Sequence, residues 1–172
     1  MSWIKRSCLS LAFSLLLAPA TAGLAAPSAL EDPVFGSATG TTVEDGDMMP
    51  TGNGRFTIDD RVYAGTSIGR SVATVAAECF TGELRSVEEW ALESPRMSGT
   101  HESAVTIRST RGVLSLRLRG QMDQFTASGT WDVVRATGGC SELDGTGRYT
   151  AQYASARSGT TLKLTFDGEA RS

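Results

Sequence analysis

The side chains with chemistry to offer are few. Glu88 alternates with Trp90 and Leu92, so an interior that takes those two also takes the carboxylate. His101, the one histidine, alternates in the same way with Ser103, Val105 and Ile107. Tyr149 and Tyr153 share a face with Ala151, while Trp131 shares one with Phe125 and Val133. Together Trp90, Trp131, Tyr149 and Tyr153 would wall a pocket for a small apolar or aromatic molecule, with Glu88 and His101 near its rim. A carboxylate desolvated beside an indole suits acid–base work, which makes Glu88 and His101 the catalytic candidates. Each residue also has a plainer reading. Glu88 and Glu89 read as a solvated pair, His101 as an exposed strand-edge residue after Ser98-Gly99-Thr100, the tryptophans as core, and the tyrosines as rim residues.

Common catalytic machinery is missing from the chain. It has no phosphate loop, no dinucleotide fingerprint and no His/Cys cluster of zinc spacing. No cofactor and no metal is therefore expected, and an enzyme here would be a cofactor-free isomerase or cyclase. Asp45-Gly46-Asp47 lacks the later glutamate that completes a calcium loop, so it reads as an acidic turn. Arg108, Arg117 and Arg119 lie on polar faces with Glu102 nearby, a pattern of surface ion pairs worth at most about 1 kcal/mol each.

The elements that must position these residues are strands. Phe56-Ile58-Asp60-Val62, Leu114-Leu116-Leu118, Phe125-Ala127-Gly129-Trp131-Val133 and Leu162-Leu164-Phe166 all alternate with polar residues at period two. Gly65, Gly69, Gly82, Pro95, Gly99, Gly112, Gly120, Gly138-Gly139 and Gly159 punctuate the runs, and Arg111-Gly112 and Ser158-Gly159 are spaced for hairpins. The pattern predicts about eight strands over 54–64, 69–82, 84–93, 101–110, 112–121, 124–136, 146–156 and 161–170, with 87–92 also open to a turn or two of helix. Antiparallel strands in that number, joined by short links, predict an all-β fold, an eight-stranded barrel or a sandwich. Residues 27–53 are polar and broken by Gly and Pro, and read as a flexible or extended arm ahead of a 54–172 barrel domain.

One stretch is more specific than alternation. Gly129-Thr130-Trp131-Asp132-Val133 runs on through Gly138-Gly139-Cys140 to Gly145-Thr146-Gly147. It resembles the strand–turn–strand signature of the allene oxide cyclase-like and dirigent-like barrels, over about 20 residues. The resemblance implies a closed eight-stranded barrel whose mouth or lumen holds a reactive hydrophobic molecule, and transfers no catalytic residue. Two positions depart from the signature: Ala136 stands where a glycine opens the turn, and Cys140 where an aromatic is usual.

Residues 1–26 read as a cleaved export signal. Lys5 and Arg6 precede an apolar run from Leu9 to Ala18, too short to span a bilayer, and the small residues Ala20, Ala22, Ala25 and Ala26 follow. The expected location is secreted or periplasmic, with no membrane span in the mature chain. Loss of Lys5 and Arg6 takes the formal net charge from −3 to about −5, which argues against a nucleic-acid partner. Of the three cysteines only Cys79 and Cys140 would survive export, and in an oxidising compartment they are expected to pair. A disulfide to Cys79 would fasten the turn that an aromatic otherwise plugs.

Three functional readings follow. The first is a barrel that binds a small hydrophobic molecule non-covalently, the second a cofactor-free isomerase using the same cavity. The third is an interaction protein whose lumen is filled by its own side chains. The composition leaves the oligomeric state open.

Overall fold

A computed structural model describes residues 31–156 and 159–171. The export signal expected over 1–26 lies outside them. Nine strands follow in chain order: β1 (Asp32–Glu44), β2 (Asp47–Gly52), β3 (Arg55–Ser71), β4 (Gly82–Glu93), β5 (Ser98–Arg108), β6 (Val113–Asp123), β7 (Thr126–Ala136), β8 (Asp144–Ala156) and β9 (Gly159–Arg171). A short helix, α1 (Thr74–Cys79), separates β3 from β4, and a 3₁₀ turn at Gly138–Cys140 separates β7 from β8. Consecutive strands from β3 to β9 pair antiparallel, β9 pairs with β1, and β1 pairs with β3. The result is a closed eight-stranded barrel, with β2 as one extra strand outside it. Closure leaves the eight barrel strands no free edge over their paired lengths, and apolar side chains at every second position fill the inside.

Three sequence expectations are revised by this arrangement. The stretch read as an arm supplies β1, which closes the barrel by pairing Val34–Thr42 with β3 and Asp32–Thr41 with β9. Its Ser, Thr and Gly content disguised a strand that needs few apolar side chains, because only Val34, Ala38 and Gly40 turn fully inward. The run read as a strand over 69–82 instead ends β3 at Ser71 and then forms α1, whose Ala76 and Cys79 are buried beside Phe80. The stretch 87–92 is strand throughout.

One end of the barrel is stapled. The Cys79–Cys140 disulfide ties α1 to the 3₁₀ turn, and Phe80 packs against Trp131 and Phe166 at ring distances of 5.6 and 5.2 Å. The Ser67 hydroxyl donates to the Phe80 carbonyl at 2.8 Å, fixing the chain where it leaves the helix. Gly147 makes room for this plug, since a Cβ there would stand 2.6 Å from the Trp131 indole nitrogen. The outer wall carries the charges: Arg117 meets Asp132 at 3.1 Å and Arg119 meets Glu102 at 3.8 Å, both pairs well exposed.

Candidate functional site

The unusual feature of the core is polar. Among the described residues the fully buried polar and charged residues are Ser67, Ser86, Glu88, His101 and Ser103, and all but Ser67 lie in one connected network. Strand register builds it. Ser86, Glu88 and Trp90 point inward from β4, and the β4–β5 register sets Glu88 opposite Ser103 and Trp90 opposite His101. Tyr149 and Tyr153 point inward from β8, on the far side of the lumen. Gly120 is the register partner of both His101 and Gly129, and a Cβ at Gly120 would stand 2.7 Å from the Tyr149 hydroxyl. The missing side chain is what lets that hydroxyl reach the imidazole.

Hydrogen bonds then run in one direction. Tyr149 lies 2.7 Å from His101 Nδ1, and His101 Nε2 lies 3.0 Å from the Tyr153 hydroxyl. Tyr153 donates to Glu88 Oε2 at 2.8 Å, and Trp90 Nε1 donates to the same oxygen at 3.1 Å. Ser86 donates to Glu88 Oε1 at 3.0 Å and sits 2.7 Å from the Ser103 hydroxyl. Because Tyr153 spends its proton on Glu88, its oxygen is left to accept from His101. A neutral imidazole then carries its proton on Nε2 and accepts from Tyr149 at Nδ1. The chain Tyr149–His101–Tyr153–Glu88 is thus a buried relay, each bond polarising the next.

Burial raises the Tyr149, Tyr153 and Tyr63 phenols well above the ordinary value near 10, and the Glu88 charge raises them further. These three are the only tyrosines in the chain. A raised folded-state value means that the native state keeps protons which the unfolded chain gives up. Stability from this source is therefore whole below pH ~10 and is lost as pH climbs above that value. Absorbance at 295 nm should show no tyrosinate forming gradually in the native protein, and then all three ionising together as the barrel unfolds in alkali. One phenol titrating near 10 with the fold intact would contradict the burial of the network.

Of the residues singled out from sequence, Glu88, His101, Trp90, Tyr149 and Tyr153 come together. Trp131 does not. It sits two positions nearer the stapled end of β7, in the aromatic plug, with its indole nitrogen donating to the Asp167 carbonyl at 3.1 Å. Phe125, expected on its face, lies in the β6–β7 turn and is exposed. His101 is no strand-edge residue and Glu88 is no solvated one, since each is 1% exposed.

Two side chains of this end escaped the sequence reading. A bulge at Asp59–Asp60, with Asp60 at φ 56°, breaks the alternation of β3, so that Arg61 and Tyr63 turn inward where parity from Ile58 sends them out. Adjacent aspartates, tolerant of positive φ, were the only local sign. Tyr63 packs 5.8 Å from the Tyr153 ring, and the Arg61 guanidinium stands 4.8 Å over Trp90. Ser86 has the parity of Glu88 and Trp90, and that alternation is the signal that places it inward with them.

Two depressions lie at opposite barrel ends. One of about 920 Å³ runs between β3, α1 and the β5–β6 turn at the stapled end. The other, of about 480 Å³, is lined by Phe56, Leu92, Gly99 and Met122 at the open end, one inward position above Trp90 and His101. Neither is lined by the network residues, and the lumen around them is filled by side chains. Compared with protein-family models, curated proteins and solved structures, the chain matches none of them.

Proposed function

We propose that this is an exported barrel that binds a small, mainly apolar or aromatic molecule non-covalently. The site is the open-end lumen, beside Trp90, Tyr149, Tyr153, Glu88 and His101. One observation carries the reading: a buried carboxylate, an imidazole and two phenols are joined in one network where an apolar core would be cheaper to build. Ionisable side chains buried together, with both phenols raised by burial, favour a functional site over mere packing. Entry is proposed from the 480 Å³ depression, by displacement of Leu92 and Met122. Allene oxide cyclase-like or dirigent-like kinship belongs to the same proposal, supported by the Gly129–Gly147 motif and an eight-stranded closed barrel.

Two other readings have specific support. The Tyr149–His101–Tyr153–Glu88 relay could move a proton on a bound substrate, which favours a cofactor-free isomerase with Glu88 and His101 as acid and base. The filled lumen favours an interaction protein in which the network only braces the barrel.

Material from the medium or periplasm, its intact mass reporting a start between residues 23 and 27, allows the test. It is titrated with small aromatic and aliphatic molecules, neutral and charged. A true ligand at about 100 times its Kd should add roughly 2.7 kcal/mol of stability, a melting shift of several degrees, and should change Trp90 fluorescence saturably. Tyr149→Ala should abolish the shift for that ligand. If no member of the panel moves the melting temperature, the interaction-protein reading replaces this one.

A further inference from the structure

Resting on the lumenal reading above, we propose that the ligand carries a carboxylate, received by Arg61 and Tyr63. Arg61 is the register partner of Glu88 and lies half-buried on the inner side of β3. Its Nε donates to the Asp45 carbonyl at 2.8 Å and its plane covers Trp90, yet among the described residues no carboxylate lies within 4.0 Å of it. A half-buried guanidinium whose hydrogen bond goes to a neutral carbonyl is short of an anion.

Tyr63 supplies the second, independent sign. It is wholly buried, and its hydroxyl is the one buried side-chain polar atom without a hydrogen-bond partner among the described residues. Arg61 and Thr42 are its nearest polar neighbours and partly offset the effect of burial, but neither reaches it with full hydrogen-bond geometry. Burial and the Glu88 charge keep the phenol protonated, so it is a donor waiting for an acceptor.

Glu88 is not that acceptor: its oxygens take Ser86, Trp90 and Tyr153, and Tyr63 is not among their donors. A ligand carboxylate satisfies both orphans at once, one oxygen accepting from Tyr63 and the charge facing Arg61. One cation beside the negative Glu88 suits a monoanion rather than a phosphate dianion. The apolar remainder of the molecule then lies along Trp90 and Tyr153.

Isothermal titration of the wild-type protein with 2-naphthoate and decanoate, against 2-naphthalenemethanol and decan-1-ol, tests this directly. Each acid should bind ~10-fold or more tightly than its alcohol. Arg61→Gln should reduce that ratio to about twofold or less, and Arg61→Lys, which keeps the charge but not the planar fork stacked on Trp90, should keep part of it. Tyr63→Phe should weaken the acids several-fold while melting at or above the wild-type temperature, because the hydroxyl it removes has no partner. Equal binding of acid and alcohol, or a preference that survives Arg61→Gln, overturns the carboxylate and leaves the lumenal site standing. Binding by none of the four overturns both.

Discussion

Glu88→Ala is expected to lower the stability of the barrel by about 3–5 kcal/mol. The carboxylate is the common acceptor for Ser86, Trp90 and Tyr153, at 3.0, 3.1 and 2.8 Å. Alanine strands all three donors in a site that water does not reach, and opens a void where the carboxylate stood. Loss of the acceptor also removes the restraint on Tyr153, and with it the orientation of His101. Glu88→Gln keeps the shape and one acceptor oxygen but turns an amide donor toward other donors, so a cost of roughly 1–2 kcal/mol is expected. Thermal and urea unfolding of the two variants measure the difference. An alanine variant as stable as wild type would mean that the network does not brace the barrel. The bracing role on which the filled-lumen reading rests would then be lost.

The second large effect is at the other end. Replacing Cys79 and Cys140 together with alanine is expected to cost about 4 kcal/mol on the chain-entropy account, a fall in melting temperature of roughly 10–20 °C. The bridge closes a loop with a sequence separation of 61 that contains the whole of β4, β5, β6 and β7. Both cysteines are buried, so the small cavity left behind adds to the loss. Because the polar network lies away from this plug, any ligand of the open end should bind the folded double variant with unchanged affinity. A loss of stability below about 1 kcal/mol would show that Phe80, Trp131 and Phe166 hold the end closed without the bond.

Much of this site is legible in the sequence. A strand turns alternate side chains to alternate faces, so Glu88 had to follow Trp90 and Leu92, and His101 had to follow Val105 and Ile107, whichever face they took. That local rule made five of the six proposed wall and rim residues neighbours in fact. It failed for Trp131, because parity says which face a residue occupies but not how far along the barrel it sits. It failed for Tyr63 and Arg61, because one bulge at Asp59–Asp60 reverses parity for the rest of β3. It failed for β1, whose threonines, serines and glycines look like a solvated arm until β3 and β9 provide their hydrogen-bonding partners.

The sequence by itself determined an all-β chain with alternating faces, the two cysteines available to pair, and the polar groups that travel inward with aromatic companions. These are properties of adjacent residues, set by backbone geometry and composition. Only the tertiary structure decided that β1 closes the barrel, that Trp131 plugs the stapled end while Trp90 joins the polar network away from it, and that Tyr63 is buried without a partner among the described residues. Those outcomes depend on register between strands far apart in sequence. Register is set by the sum of many cross-strand contacts and a single bulge, not by any local run of residues.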